Sequence, residues 1–256
     1  MTAGEQYCRE LAGHLRYNAA WPPGIRVVLG DIGVIDDDVF MPLTSLEQFG
    51  IRLEHAPAGH DMAFEYASAG SVDVGFKVRG DVSPMLPNVP IDQAGLGINF
   101  TRENATVFRA EGGVQQRFAD ETRLRGEIRS LIWAGLWDRD WHVITDVIDA
   151  KSTAALVSRS SGASVEVSVS ADVSAGGLEL LTTDAGAKIV ASRSMQIAVI
   201  ATNGLTPLFR AKRVKRRWFS SRIDLRAAFS DEFERVTDDE DDLFENTPVY
   251  VDESGK

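Results

Sequence analysis

The chain has 256 residues and a mass of 28.0 kDa, room for one large domain or two small ones. Its 44% hydrophobic and 25% charged residues fit a globular protein, its single cysteine excludes a disulfide scaffold, and its net charge of −11 argues against a dedicated nucleic-acid binder. No run of about 18 apolar residues exists to form a membrane-spanning helix, and residues 1–20 are charged throughout and lack a signal peptide's apolar stretch, so the expectation is a soluble intracellular protein.

In chain order, residues 3–17 read as an amphipathic helix, with Tyr7, Leu11 and Leu15 on one face and Cys8 and Ala12 beside them. Trp21-Pro22-Pro23-Gly24 ends it in a turn. Residues 25–29 and 32–35 read as short strands, Asp36-Asp37-Asp38 as a turn, and 39–42 as extended chain. Thr44-Ser45-Leu46-Glu47 has the capping-box pattern, with Gly50 placed to end a helical turn over 45–49.

The middle of the chain alternates apolar and polar residues. Met62, Phe64 and Tyr66 form one such series, Val72, Val74, Phe76 and Val78 a second, and Leu96, Ile98 and Phe100 a third. Period two with one apolar face is the strand signature. Pro84, Pro87 and Pro90 interrupt between them. Over 115–137 the period changes to a helical one, with Phe118, Leu124, Ile128, Leu131, Ile132 and Leu136 on one face, and Trp133, Trp137 and Trp141 are expected to anchor its end in the core. Strands are expected again over 142–148, 163–173, 178–181 and 187–200. In the last, Ile189, Ala191, Met195, Ile197 and Val199 share a face that Arg193 breaks. The class is α+β, a twisted antiparallel sheet with a few helices.

The charge is uneven. Residues 231–256 hold eleven acids and two bases, a net −9, which leaves −2 for residues 1–230. Just upstream lie Lys212, Arg213, Lys215, Arg216, Arg217 and Arg222. A basic cluster followed at once by an acidic tail suggests an intramolecular mask, and a solvated tail beside an unrelated basic surface is the plainer alternative.

No chemical motif emerges. His55 and His60 sit five apart without a cysteine or a helical partner, and Asp36-Asp37-Asp38 lacks the spacing of a calcium loop, so no metal site is expected. There is no Gly-x-Ser-x-Gly elbow and no P-loop, and Gly95-Leu96-Gly97 is too short for a dinucleotide turn. No catalytic residue, enzymatic activity or cofactor is expected. Alternation by itself suits a half-buried strand as well as a tilted membrane strand, and residues 163–173 are long enough for the latter.

Two stretches go beyond generic patterning. Phe40-Met41-Pro42-Leu43-Thr44-Ser45-Leu46 is one, and Asp140-Trp141-His142-Val143-Ile144-Thr145-Asp146-Val147 is the other. The latter is followed by an alternating hairpin and then Met195-Gln196-Ile197-Ala198-Val199-Ile200. In this order and spacing they resemble the pore-forming N-terminal domain of gasdermins, in layout over residues 1–220. With only 36 residues beyond that, the chain looks like the bacterial members.

The resemblance implies a pore-forming domain over 1–220 and an inhibitory acidic tail with a protease-sensitive linker over 221–256. It implies a cytoplasmic latent monomer that a protease activates, and that then forms a large homo-oligomeric β-barrel in the inner membrane as a cell-death effector in defence against phage. First-hairpin strands would lie within 62–79 and 94–109, second-hairpin strands within 155–173 and 187–200. Val72, Val74, Phe76, Ile98, Phe100, Val165, Val167, Val169, Ile189, Met195, Ile197 and Val199 would then face lipid, and Asp73, Lys77 and Glu166 the aqueous lumen. Lys212, Arg213, Lys215, Arg216 and Arg217 would meet lipid headgroups. Cleavage is expected near Arg222, Arg226, Arg235 or Asp238. Cys8 is the candidate for fatty acylation, although family members usually carry that cysteine closer to the first residue. The competing expectation, from another class, is an α+β adaptor module whose acidic tail recruits a basic partner.

Overall fold

A computed structural model describes residues 1–77, 95–168, 178, 181–182, 188–201, 205–215 and 244–246. Helix α1 (Ala3–Leu15) opens with a complete capping box, in which the Thr2 hydroxyl accepts from the Glu5 amide and Glu5 from the Thr2 amide. A short strand β1 (Asn18–Ala19) leads to the hairpin of β2 (Asp31–Asp36) and β3 (Val39–Ser45), then to a 3-10 turn (Leu46–Phe49). Next come β4 (Met62–Ala67), β5 (Val72–Lys77), β6 (Gly95–Phe100) and the long β7 (Thr106–Arg117). Helix α2 (Glu121–Ala134) precedes β8 (His142–Ala150), β9 (Ser152–Ser158), β10 (Ser164–Ser168), β11 (Lys188–Ala191), β12 (Met195–Ala201), β13 (Leu205–Val214) and β14 (Phe244–Asn246). The described residues are thus mostly antiparallel strand with two α-helices, an α+β protein.

The strands form a ten-stranded sheet with the spine β1-β13-β8-β7-β9-β12 and a four-stranded sheet ordered β11-β10-β6-β5. Alternation along β7 and β9 assigns the layers. Val107, Ala154 and Leu156 share a core with Leu96, Ile98, Phe100, Val165 and Val167 of the small sheet. Phe108, Ala155 and Val157, one residue out of phase, share a core with Tyr7, Cys8 and Leu11 of α1. The small sheet therefore covers one face of the large sheet and α1 the other. Helix α2 packs Leu124, Ile128 and Ile132 against Phe118, Val143 and Val214 at the far end of the large sheet.

Four local expectations fail for identifiable reasons. Residues 25–29 are not a strand, because their amides are used locally or by side chains: Ile25 donates to the Pro22 carbonyl at 3.1 Å, Val27 to the Thr206 hydroxyl at 2.7 Å and Val28 to Asp31 at 2.8 Å. The capping box at Thr44 does not form. Thr44 lies in β3 opposite Ile32, Ser45 is the N-cap, and no side-chain cap bond is made. The helix expected from residue 115 starts at Glu121, since 114–117 pair with β8 and Asp120 caps the helix by accepting from the Arg123 amide at 2.9 Å. Of the three expected anchors Trp137 is buried and Trp141 packs half-buried against the same core, while Trp133 stands exposed, as does Leu136. The fourth failure is at Leu178 and Leu181, which are buried in the small-sheet core but in 3-10 rather than strand conformation.

Candidate functional site

The two alternating hairpins expected from the sequence are present, and each is broken in the middle. In the first, β5 pairs with β6 in the small sheet, while β4 and β7, which continue the same two chain segments, pair with each other in the large sheet. In the second, β10 pairs with β11 in the small sheet and β9 with β12 in the large sheet. The breaks are short: 68–71, 101–105, 159–163 and 192–194. Each hairpin thus has an inner arm in the large sheet, an outer arm in the small sheet and a joint between them.

The small sheet joins the two hairpins through β6 and β10, with Val165 opposite Ile98 and Val167 opposite Leu96. Val72, Val74 and Phe76 stand opposite Phe100, Ile98 and Leu96, and Ile189 and Ala191 opposite Val167 and Val165. The apolar residues of four strands therefore share one face. Asp73 and Gly75 fall on the other face with Gly97, Asn99 and Glu166, as the alternation requires. Leu96, Ile98, Phe100, Val165 and Val167 are buried and Val74, on the edge strand β5, is 40% exposed.

One expectation about these faces is corrected. The run Ile189, Met195, Ile197 and Val199 is not one continuous strand face, because residues 192–194 break the strand and the register slips between Met195 and Ile197. Met195 enters the small-sheet core, whereas Ile197 packs on the α1 side. Val169 lies outside the described residues.

The joints are bonded to one another. Ser158 ends β9. Its hydroxyl donates to the Arg102 carbonyl at 2.7 Å and accepts from the Ala105 amide at 2.9 Å. The Gly162 amide donates to the Phe100 carbonyl, and Arg159 to that of Ser194. Ser68 accepts from the Thr106 amide at 2.8 Å. Above them the Glu10 carboxylate of α1 receives four donors, two on each oxygen. Gln6 Nε2 and an Arg102 guanidinium nitrogen reach one oxygen at 2.9 and 2.8 Å, and the Tyr66 and Ser68 hydroxyls reach the other at 3.0 and 2.5 Å. On the small-sheet side of β7, buried Arg109 pairs with Glu65 and Glu111 and donates to the Thr182 hydroxyl at 3.3 Å. That bond ties the connector between β10 and β11 to the large sheet.

Cys8 lies in the α1 core at 1% exposure, its thiol directed at the Ala19 carbonyl at 3.5 Å. Burial, with Asp38 adding to it, pushes the thiol up to about 12. It is a neutral packing residue in this conformation.

The basic cluster meets the acidic tail through the backbone. In β13, Lys212, Arg213 and Val214 pair antiparallel with Asn246, Glu245 and Phe244 of β14. Lys212 also donates to Glu121 of α2 at 2.6 Å. Arg213 and Lys215 are half-buried. Arg216, Arg217, Arg222, Arg226, Arg235 and Asp238 lie outside the described residues. Among the described residues no cluster of three or more His, Cys, Asp or Glu is placed to hold a metal ion, and no helix is long and apolar enough to cross a membrane.

Glu10, Ser68, Arg102 and Ser158 carried no sequence signal. They stand far apart in the chain and belong to no motif. Neither a protein-family model nor a curated protein matches this chain.

Proposed function

We propose that this chain is a latent pore-forming protein of gasdermin type, whose two hairpins straighten into membrane strands once the acidic tail is removed. The observation that carries the reading is phase. Met62, Phe64 and Tyr66 of β4 have the same parity as Val72, Val74 and Phe76 of β5. Phe108 and Ala110 of β7 match Leu96, Ile98 and Phe100 of β6, and Ala155 and Val157 of β9 match Val165 and Val167 of β10. In the bent form the two sets serve opposite sides of the large sheet. Straightening each joint would merge them into one apolar face, as a membrane barrel needs; the other face would carry Asp73, Asn99, Arg109, Glu111 and Glu166 together with the apolar Val107, Ala154 and Leu156.

Length and direction agree. The shortest straightened strand, 188–201, would reach about 46 Å at roughly 3.3 Å per residue, against a hydrocarbon core of about 30 Å. Among the described residues β5 and β11 are the outer strands of the small sheet, and they run antiparallel to each other. A second copy can therefore add its β11 to β5 with antiparallel pairing kept, and repetition of that head-to-tail contact closes a ring without a free edge.

In this reading the partners are membrane lipids, further copies of the chain and an activating protease. Strand β14 holds the tail on the basic strand, and among the described residues three residue pairs would still link the two after a cut between β13 and β14. With the tail gone, Lys212, Arg213 and Lys215, with Arg216 and Arg217, would meet anionic headgroups. Acylation of Cys8 would require α1 to lift first.

The test is dye release from vesicles of phosphatidylethanolamine and phosphatidylglycerol by the full chain bearing a specific protease site within 221–243. Release on cleavage, with rings in negative-stain images, supports the pore. Cleaved protein that stays folded and releases nothing contradicts it and leaves the adaptor reading.

A further inference from the structure

Resting on the pore reading, we propose that Glu10 is a clasp: it holds the first hairpin bent, and its release from Ser68 and Arg102 sets the threshold for straightening.

The argument starts from the capacity of a carboxylate. It offers about four acceptor sites and no donor. Glu10 fills them with donors from its own helix, from the end of β4 and from both joints of the first hairpin. Ser68 lies between β4 and β5, and Arg102 between β6 and β7. A single side chain of α1 thereby ties together the two points at which the hairpin must straighten. Ser68 is itself held in the bend, 2% exposed, its hydroxyl accepting from Thr106 while it donates to Glu10.

The clasp reaches the second hairpin too. The Arg102 carbonyl accepts from Ser158, the last residue of β9, while its guanidinium bonds Glu10. The path from α1 to the second joint is thus three side chains long. Straightening would carry Ser68 and Arg102 away from α1, and Glu10 cannot keep both. Loss of two charge-assisted bonds is the resistance that the bent form offers at this point. The same helix covers Phe64, Tyr66, Phe108, Ala155 and Val157, which the straightened strands would expose. Departure of α1 and opening of the joints are therefore one event, and Glu10 is a positioning residue for it.

The experiment compares the parent, Glu10→Gln and Arg102→Gln as full chains. Glu10→Gln keeps the size and loses the charge. Arg102→Gln removes the same pair from the joint. Hydrogen exchange is followed over residues 66–72 and 100–106, with α2 as an internal reference. Both variants should exchange about tenfold faster at the joints and unchanged in α2, the size expected for one charge-assisted bond. After cleavage at the introduced site, both should release dye from the same vesicles about tenfold sooner than the parent. Unchanged joint exchange overturns the clasp whatever the leakage does. Faster joint exchange with leakage no faster than the parent's overturns it as the threshold. Faster joint exchange with no leakage from any of the three, parent included, keeps the clasp and overturns the pore.

Discussion

Val167 of β10 stands directly across from Leu96 of β6, and neither side chain is exposed beyond 1%. This contact joins the two hairpins in the bent form, and it uses residues that the pore reading sends to lipid. A lysine at Val167 would therefore strand a charge in a packed core before any membrane is met. Such a variant reports folding and insertion together. Val74, two strands away on the same face, is half out of the core, so the two effects separate there.

The joints should be weak points of stability. Ser158 is 0% exposed and satisfies both the Arg102 carbonyl and the Ala105 amide. Ser158→Ala leaves both without their partner, at a cost of about 1–3 kcal/mol each when buried. Urea denaturation should show a fall in that range or somewhat above it, and joint exchange should rise. An unchanged midpoint would mean that the second joint is held by packing alone.

The tail strand should protect the basic strand. Residues 212–214 lie between β14 and β8, so cleavage within 221–243 should raise the hydrogen exchange of those of their amides that point toward β14, while the amides that point toward β8 stay protected. Cells expressing residues 1–235 should die, and cells expressing the full chain should grow. Equal growth of both would remove the tail from the account.

Cys8 gives a pH signature. An unfolded thiol titrates at its ordinary 9.0, and the folded one at about 12. The folded chain keeps its proton through that interval and the unfolded chain does not. The contribution is whole below pH 9, falls as the pH rises, and is gone above about 12. Cys8→Ala should therefore lose thermal stability less steeply than the parent across that window. Chain recovered from membranes after cleavage should carry a fatty-acyl mass increment absent in Cys8→Ala. An unmodified mass with full toxicity of Cys8→Ala makes Cys8 a packing residue only.

The sequence made the strands legible because alternation survives any tertiary arrangement. Val72, Val74 and Phe76, and Val165 and Val167, announce a face whether it meets a core or a bilayer. The α1 pattern was equally clear in Tyr7, Leu11 and Leu15. What stayed hidden was where the strands break. Ser158 and Arg102 look like ordinary strand and turn residues, and their role depends on partners more than fifty positions away. Pattern also misplaced the start of α2. Gln115 and Gln116 fit a helix as well as a strand, and pairing with Ile148 and Val147 decided the matter. Acid in the tail was visible as charge alone. That Glu245 would lie opposite Arg213 required the fold.

The central claim is that the small-sheet apolar face becomes a lipid-facing surface. Val74 and Gly75 are adjacent, both exposed and on opposite faces of β5, and a side chain built at Gly75 meets nothing within 4 Å. Lysine at either position adds the same charge and should leave the thermal midpoint of the uncleaved chain nearly unchanged. In a bilayer the lysine at 74 would cost up to about 2–4 kcal/mol in every protomer, the value at the midplane, and the one at 75 would face water. After cleavage, dye release from phosphatidylglycerol-containing vesicles should be abolished in Val74→Lys and retained in Gly75→Lys. Full release by Val74→Lys, or loss in Gly75→Lys alone, would contradict the account.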